Sequence, residues 1–216
     1  MVLVCVLLHA ARVQGQTPTP LPGHIEVAIA GEWSGALSFS SLDALETDRN
    51  GQPYRLFATE SELRPTLGAS AKLGIVLTNR FQIETALSFS SPELVVSIAS
   101  DVENAEDVSI AETIRQLHVQ VGLVANLTAS SRNMPFVTAG AGYLRELHEG
   151  QTLAVDGRSL FLGGGLKHVL KSDPDSWLKG AGVRVDGRVV VRREGVAFDD
   201  SWRLAPGLGA ALFLRF

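Results

Sequence analysis

Residues 208–216 read LGAALFLRF and end the chain. Apolar side chains occupy every second position of this stretch: Leu208, Ala210, Leu212, Leu214 and Phe216. Because a β-strand points successive side chains to opposite faces, the stretch predicts a strand with one continuous apolar face that ends in an aromatic ring. This pattern raises the hypothesis that the strand lies against lipid, and the rest of the sequence tests it.

Similar alternation recurs along the chain and predicts eight strands. These are residues 24–39, 64–77, 81–97, 111–127, 135–147, 157–170, 177–193 and 201–216. The third is the clearest, because Phe81, Ile83 and Leu87 share one face while Gln82 and Glu84 share the other. Alternation over ten or more residues matches the length that a tilted strand needs to cross a bilayer.

The connections between the predicted strands fall into two kinds. Residues 78–80, 128–134 and 171–176 form short turns, whereas residues 40–63 and 98–110 form long polar or acidic loops. Short turns at one end and long loops at the other are typical of outer-membrane barrels. The predicted fold class is therefore all-β: an eight-stranded antiparallel up-and-down transmembrane β-barrel with short periplasmic turns and longer extracellular loops.

The N-terminal segment differs in character from the rest. Residues 2–11 (VLVCVLLHAA) form an apolar run whose length suits a signal peptide better than a membrane span. We predict a signal peptide at residues 1–15, a short linker at 16–23 and the barrel domain at 24–216. Cys5, the one cysteine of the chain, lies in the predicted signal peptide, so disulfides and cysteine metal sites are not expected.

Composition excludes several classes of protein. Charged residues make up 19% of the chain and the formal net charge is −4, which gives no electrostatic basis for nucleic-acid binding. No apolar run reaches the roughly 18 residues of a spanning helix. The five histidines are scattered, and Lys167 after Gly163–Gly165 lies on a predicted strand rather than at the start of a helix, as a phosphate loop requires. We expect no metal and no cofactor.

If the apolar faces point to lipid, the alternate faces point into a lumen. An eight-stranded barrel is narrow and is filled by side chains. The predicted polar network of the lumen consists of Glu26, Glu32, Lys72, Glu84, His118, Gln120, Lys167, Arg184, Asp186 and Arg188. Its four acids balance its four bases, and buried charges must be paired to avoid a cost of several kcal/mol. We therefore expect a plugged lumen rather than a conducting channel.

Aromatic side chains collect near the ends of the predicted strands. Membrane barrels carry aromatic girdles where their outer faces meet the two interfaces. The residues predicted to form these girdles are Trp33, Phe39, Phe81, Phe89, Tyr143, Trp177, Trp202 and Phe216. Of these, Phe81, Trp177 and Phe216 are expected at the periplasmic end and the others toward the outer end.

Five segments resemble the small bacterial outer-membrane β-barrel domains of the OmpA-like and OmpX-like group. Residues 67–89 (LGASAKLGIVLTNRFQIETALSF) are similar to a strand–turn–strand unit of that group, and residues 136–144 (FVTAGAGYL), 163–170 (GGGLKHVL) and 183–188 (VRVDGR) to later strands. Residues 212–216 (LFLRF) resemble the signal that the outer-membrane assembly machinery reads. The resemblance implies that Leu212, Leu214 and Phe216 form this assembly signal.

The resemblance also implies a location and partners. The chain is expected in the cell outer membrane as a monomer, in contact with outer-membrane lipid and lipopolysaccharide. Its other expected partners are periplasmic chaperones and the assembly machinery. The expected role is non-enzymatic: structural, adhesive or another surface interaction.

Two alternatives remain open at this point. A lipid A-modifying enzyme of the same fold needs a Ser/His/acid cluster near the outer leaflet. His118 is the one histidine predicted in mid-strand, and it faces inward, so we interpret it as polar filling. A soluble secreted barrel would instead hold apolar side chains inside, around an apolar ligand. Arg145, His148, Arg192 and Arg193 fall near the outer rim, where they match either lipopolysaccharide phosphates or a solvated loop.

Overall fold

The computed structural model describes residues 20–39, 42–47, 49–99, 108–128, 131–148, 154–194 and 201–216. All of the regular secondary structure in these ranges is β-strand. Thirteen strands lie in these ranges. The same ranges hold no helix that is long and apolar enough to cross a membrane. The predicted signal peptide lies outside the described residues.

Eight of the strands close into an antiparallel barrel. In their order around the barrel they are β1 (Ile25–Ser34), β13 (Arg203–Arg215), β12 (Gly180–Glu194), β11 (Ala154–Ser172), β10 (Asn133–Leu147), β9 (Arg115–Asn126), β6 (Phe81–Ser90) and β5 (Thr66–Val76). The first strand closes the barrel by pairing with β13 through Val27 and Leu214, and with β5 through Val27 and Leu73. The predicted closed eight-stranded barrel is confirmed.

The barrel places apolar side chains outside and charged side chains inside, which is the reverse of the arrangement in a soluble protein. Outward residues are apolar and exposed, as in Ile29 (72%), Leu162 (67%) and Leu212 (67%). Inward residues include charged groups with almost no exposure, such as Lys167 (0%) and Arg184 (2%). A soluble barrel around an apolar ligand requires the opposite arrangement, so that alternative was wrong. Apolar-out and polar-in is the arrangement of a barrel solvated by lipid.

The two ends of the barrel differ. At one end, residues 77–80, 127–132 and 173–179 connect neighbouring strands directly. At the other end the chain forms a second sheet from β2 (Leu37–Ser38), β3 (Leu42–Thr47), β4 (Pro53–Leu63), β7 (Glu93–Ala99) and β8 (Val108–Thr113). We call this second sheet the outer sheet. Short turns and longer loops thus lie at opposite ends, as predicted.

The outer sheet corrects the predicted loop structure. The segments 40–63 and 98–110 were expected to be loops, yet they contain β3, β4 and part of β8. The predicted strands 24–39, 81–97 and 111–127 are each split in two. The first split lies at Gly35 and the next residue, the second at Pro92, whose missing amide hydrogen cannot join a hydrogen-bond ladder, and the third at Ile114.

Two small apolar clusters mark the ends of the lumen. Near the short turns, Met134, Val169 and Phe213 pack inside the barrel with neighbouring alanines. At the junction with the outer sheet, Leu37, Leu63, Leu94, Ile114 and Ala205 pack together. Between these clusters lies the polar interior, and it is the densest concentration of chemically active side chains among the described residues.

Candidate functional site

The lowest layer of the lumen is built around one carboxylate. Glu26 of β1 is 2% exposed, and its Oε1 lies 2.5 Å from Lys167 Nζ of β11. Its Oε2 lies 2.8 Å from Arg215 Nη2 of β13. Lys167 also donates to Gln82 Oε1 at 3.0 Å. Glu26 is therefore paired with two cations, and the Gln82 amide accepts a further hydrogen bond from Lys167.

Aromatic rings enclose this layer. Lys167 Nζ lies 5.8 Å from the ring centroid of Phe136 and 5.9 Å from that of Phe213. The Arg184 guanidinium lies over the same Phe136 ring, with its Cζ 4.4 Å from the ring centroid. Cations over ring faces are favourable when water is excluded. The rings also fill the cross-section of the barrel that the ion pairs leave open.

The middle layer links two cations to three acids. Arg184 Nη1 lies 2.5 Å from Glu84 Oε2, and its Nε lies 3.1 Å from Asp186 Oδ1. Lys72 Nζ lies 3.6 Å from the same Asp186 oxygen and 3.3 Å from Glu32 Oε1. Since Asp186 and Glu32 are each shared, the ion pairs form a continuous ladder along the barrel axis.

The upper layer continues the ladder toward the outer sheet. Glu32 accepts from Ser70 Oγ at 2.7 Å and lies 2.5 Å from Arg188 Nη2. Arg188 Nη1 donates to Gln120 Oε1 at 2.8 Å. Above it, Gln116 Nε2 donates to Glu146 Oε1 at 2.6 Å. Near the mouth of the barrel the charged groups are thus bonded to amides, Arg188 to Gln120 and Glu146 to Gln116.

A histidine and a serine also meet in the upper layer. His118 Nε2 lies 2.7 Å from Ser159 Oγ, across from β9 to β11. A nucleophilic serine needs a histidine that a third group orients. The carboxylate of Glu32, which lines the same small cavity as His118, is already held by Lys72, Ser70 and Arg188. Ser159 is only 2% exposed, so its hydroxyl does not face a substrate.

Two cavities lined by described residues of the lumen are small. A cavity of about 30 Å³ lies beside His118, Gln120 and Arg188, and another of about 10 Å³ lies beside Lys72 and Arg184. A cavity needs roughly 10–15 Å³ to hold one water molecule. These spaces therefore fit isolated water molecules, not a hydrated ion in transit or an organic substrate.

All ten residues predicted for the polar network face the lumen. The structure brings Glu26 to Lys167, Glu84 to Arg184, and Glu32 to both Lys72 and Arg188. The sequence analysis missed other inward polar groups: Ser70, Gln116, Glu146, Ser159, Arg192 and Arg215. Arg215 could have been found from strand parity alone, because it alternates with Leu212, Leu214 and Phe216 on the apolar face.

Most of the predicted girdle residues lie outward near the barrel ends. At the short-turn end, Trp177 is 77% exposed and stacks on Phe216 with ring centroids 5.2 Å apart, and Phe81 is 44% exposed. Near the other end, the exposed aromatic residues are Trp33, Phe89, Tyr143 and Trp202. Two rows of rings at opposite ends follow from this placement.

Phe39 departs from the predicted girdle. It lies beyond β1, packs partly buried against the apolar cluster at the junction with the outer sheet, and has the Arg203 guanidinium 5.0 Å from its ring centroid. The cause is the split of the predicted first strand, which moves residues after Gly35 out of the barrel wall.

The predicted assembly-signal residues form the outward face of β13. Leu212 is 67% exposed and Leu214 is 43% exposed. Phe216 N donates to Ile25 O at 2.8 Å, and Ile25 N donates to Phe216 O at 3.1 Å, so the chain end is hydrogen-bonded to β1. Recognition of these residues by an assembly machinery stays a prediction.

Among the described residues, no three His, Cys, Asp or Glu side chains are grouped so as to hold a metal ion. The acidic residues at 101–107 lie outside the described residues.

Comparison with solved structures identifies the fold. The outer membrane protein OprG from Pseudomonas aeruginosa matches over 94% of this chain and 99% of its own, with a TM-score of 0.51 and 11% identity. Ail of Yersinia pestis, solved with the heparin analogue sucrose octasulfate, matches over 91% of this chain and 100% of its own, with a TM-score of 0.46 and 14% identity. The outer membrane protease OmpT from Escherichia coli has a TM-score of 0.34 and 8% identity, over 96% and 99% of the two chains.

Sequence comparisons add nothing to this result. No protein-family model matches the chain, and no curated protein matches it. The likeness to OprG therefore carries the fold and no more. Together with the closed eight-stranded barrel and its apolar outer face, it shows that this chain has the fold of the small outer-membrane β-barrel proteins.

Proposed function

We propose that this integral outer-membrane barrel is a non-enzymatic protein with a closed lumen, which presents its outer sheet for interactions at the cell surface. The observation that carries the proposal is the filled lumen: the pair of Glu26 with Lys167 occupies its lowest layer, and a chain of shared ion pairs from Arg184 through Asp186, Lys72 and Glu32 to Arg188 occupies the layers above. Because the protein's own side chains fill its interior, we expect it to act through its outer surface.

The closed lumen follows from the energetics of the ladder. An ion crossing the barrel would have to displace Arg184 from both Glu84 and Asp186. Separating such buried partners leaves charges without compensation, at a cost of about 3–5 kcal/mol for a pair. The Phe136 ring lies directly against Arg184 and restricts its movement. The ladder thus stabilises the barrel and obstructs conduction at the same time.

The non-enzymatic part of the proposal is supported by the placement of His118 and Ser159. Their contact is buried in the lumen, whereas the acyl chains and phosphates of lipid A surround the outer face of a barrel. A lipid A-modifying enzyme would need its nucleophile on that outer face. The pair is better explained as one more hydrogen bond that satisfies buried polar groups.

The surface role is supported by the outer sheet. Its last strand, β8, pairs with β7, and within the described residues no strand lies on its other side. Val108 and Ile110 on β8 are 53% and 62% exposed. An exposed strand edge offers backbone hydrogen bonds to an extended segment of another protein. We therefore propose an extended peptide segment as the kind of partner that this edge fits.

The first test concerns membrane insertion. Outer-membrane fractions of cells expressing the chain are run on a gel with and without boiling, because a folded barrel resists detergent and migrates differently until it is boiled. A shift in that fraction is expected. A protein that fractionates with soluble proteins and shows no shift would contradict the outer-membrane assignment, including the expected chaperone, assembly-machinery and lipopolysaccharide partners.

The second test concerns the lumen. Purified protein is inserted into planar bilayers and ionic current is recorded. The natural sequence is expected to give no steady conductance, whereas the double variant Phe136→Ala with Arg184→Ala is expected to give small steps, because it removes the ring and the cation that fill the middle layer. Steady steps from the natural sequence would refute the closed lumen.

A further inference from the structure

Arg192 is an inward cation that has no carboxylate partner within ion-pairing distance among the described residues. It lies on the same inward face of β12 as Arg184 and Arg188, closer to the outer sheet. The charge of Glu146 reaches Arg192 from further away, but Glu146 is itself bonded to Gln116. The cations deeper in the lumen each have a carboxylate oxygen within 3.3 Å, and these cations are Lys72, Lys167, Arg184, Arg188 and Arg215.

The hydrogen-bond donors of Arg192 are also poorly satisfied by the protein. Its Nε is buried and has no hydrogen-bond partner among the described residues. Its Nη1 donates to Gln116 Oε1 at 3.4 Å, a distance at which an N–H···O bond is weak. A guanidinium has five N–H donors and keeps its charge, and burying a charge without a counter-ion is unfavourable. An anion would satisfy both the charge and the donors.

Arg192 lines the larger of the two lumen cavities, which has a volume of about 30 Å³. The hydroxyls of Ser34 and Ser88 and the amide of Gln120 line the same cavity. Hydroxyl and amide groups donate hydrogen bonds, and a donor bonded to an anion makes a stronger hydrogen bond than one bonded to a neutral acceptor. The wall of the cavity therefore offers neutral donors beside the guanidinium.

The charge on the opposite part of the wall is already compensated. Glu32 is the acid among the described residues that line the cavity, and its carboxylate is paired with Lys72 and Arg188. His118 also lines the cavity, and its Nε2 is bonded to Ser159 Oγ. An anion beside Arg192 would therefore not meet an uncompensated carboxylate.

The volume of the cavity selects the class of anion. A water molecule needs roughly 10–15 Å³, so this cavity accommodates about two water molecules or a small monatomic anion in their place. Sulfate and phosphate esters are too large for it, because a shell of oxygen atoms surrounds the central atom. The middle layer around Arg184 fills the lumen below this level, so an anion would enter from the outer mouth and remain in the upper layer.

We infer that the upper layer of the lumen binds one small monovalent anion of the halide class, held by the guanidinium of Arg192 and by the hydroxyl and amide donors beside it. The anion pairs with a cation that the protein leaves without a carboxylate, and the donors replace the water that the anion sheds on entry. Because it binds the folded state and not the unfolded chain, it stabilises the barrel. The inference needs only the folded barrel and does not depend on the proposed surface role.

The first test is the salt dependence of unfolding. The natural sequence and Arg192→Met are refolded in detergent micelles and verified by heat-modifiability. Urea midpoints are then measured in sodium chloride, bromide, sulfate and gluconate at equal ionic strength. Chloride and bromide are expected to raise the midpoint of the natural sequence above its value in gluconate, in a saturable manner. Arg192→Met loses the charge and the donors, so the halide concentration that gives half of the effect is expected to rise about tenfold or more.

Two further variants and the sulfate arm decide the chemistry. Arg80→Met changes an exposed arginine in the short turn at the opposite end and is expected to keep the full halide response. Ser88→Ala removes one donor from the cavity and is expected to weaken the response several-fold, and this variant replaces Arg192→Met if that does not fold. Sulfate strengthens apolar burial in general, so it should shift the natural sequence and the cavity variant equally. Equal halide responses of these two, or a larger sulfate response of the natural sequence, would overturn the inference.

The second test locates the ion directly. Crystals of the natural sequence are soaked in sodium bromide, and diffraction is recorded at the bromine absorption edge. An anomalous peak is expected inside the cavity, in contact with the Arg192 guanidinium, and crystals of Arg192→Met are expected to lack it. Peaks confined to the protein surface would mean an adventitious ion only and would overturn the inference, as would a cavity that holds water without bromide.

Discussion

Glu26 Oε1 lies 2.5 Å from Lys167 Nζ, although 141 residues separate the two along the chain. The contact crosses the interior of the barrel from β1 to β11. The second carboxylate oxygen of Glu26 is held by Arg215, on the strand that closes the barrel against β1. One buried carboxylate therefore joins three strands, and its removal tests how much the ladder stabilises the fold.

The first prediction compares the two partners of this contact. Glu26→Gln leaves Lys167 and Arg215 buried without their carboxylate, so we expect a loss of about 3–5 kcal/mol in the free energy of unfolding. Lys167→Met leaves Glu26 paired with Arg215, and we expect a smaller loss of about 1–2 kcal/mol. Urea unfolding in detergent micelles, followed by tryptophan fluorescence, measures both.

The control for this comparison is an ion pair at the surface. Arg64 Nη1 lies 3.0 Å from Glu93 Oε2, and both side chains are more than half exposed. Exposed pairs contribute little because water and salt screen them, so Glu93→Gln is expected to leave the unfolding midpoint nearly unchanged. A larger effect from Lys167→Met than from Glu26→Gln would contradict the shared-carboxylate interpretation.

The second prediction concerns the middle layer. Arg184→Ala removes the partner of Glu84 and one partner of Asp186, and we expect it to destabilise the barrel by about 3–5 kcal/mol. Asp186 retains Lys72 at 3.6 Å, so most of the loss should come from Glu84. Adding Glu84→Leu to Arg184→Ala should therefore recover part of the stability, and a double-mutant cycle measures the coupling.

The absence of such coupling would count against the ladder. If Arg184→Ala alone left the urea midpoint unchanged while Arg64→Ala shifted it, the buried charges would be contributing nothing measurable. If the double variant lost, relative to the natural sequence, the sum of the two single losses, the two residues would not interact in the folded state.

The orientation of the polar residues was predictable from the sequence, because it depends on strand parity alone. Lys72, Lys167 and Arg184 lie on three different strands, yet each alternates with apolar neighbours. A period of two decides which side of the wall a side chain occupies. The same rule would have placed Arg215 in the lumen, had the last strand been analysed for both of its faces.

The pairing of those residues was not predictable. The pairing of acids with bases depends on the stagger of the strands around the barrel. It also depends on irregularities in the backbone pairing of the strands, such as the register shift between Val169 and Lys171. A shift of two residues would preserve every inward side chain and exchange the partners. The inward direction of these charges was therefore predictable, whereas the contact between Glu26 and Lys167 was not.

The outer sheet was missed for a different reason. Residues 53–63 (PYRLFATESEL) begin with proline and contain three charged side chains, and outside the membrane neither face of a strand needs to be uniformly apolar. Only Leu63 of this segment is buried. Composition that is typical of a loop thus concealed a strand whose stability comes from pairing with β7 and β3.

The third prediction tests the packing of the lumen with glycines. A Cβ added at Gly140 would lie 2.3 Å from the Val121 carbonyl oxygen and 2.6 Å from the Phe161 ring. The Val121 backbone oxygen cannot move away without breaking hydrogen bonds between the strands. Gly140→Ala is therefore expected to destabilise the barrel by about 1–3 kcal/mol. Gly31→Ala is the control, since nothing lies within 4 Å of its Cβ position.

We expect Gly31→Ala to be neutral or slightly stabilising, because alanine reduces the freedom of the unfolded chain. The comparison is made by urea unfolding under the same conditions for both variants. Equal effects of the two substitutions would show that Phe161 and the strand backbone adjust, and that the interior is packed more loosely than the structure indicates.

The fourth prediction separates an assembly signal from a structural contact at the chain end. Phe216 stacks on Trp177, and such a pair contributes about 0.5–1.5 kcal/mol, so Phe216→Ala should lower the stability of refolded protein only modestly. If Leu212, Leu214 and Phe216 are read during assembly, the same variant should reduce the amount of folded barrel in the outer membrane several-fold.

Leu208→Ala is the control, because Leu208 lies on the same outward face and is 58% exposed but is remote from the end. Quantitative immunoblots of heat-modifiable protein in outer-membrane fractions measure the effect in cells. Equal losses for the Phe216 and Leu208 variants, in proportion to their loss of stability in vitro, would mean that the terminal residues act through packing alone.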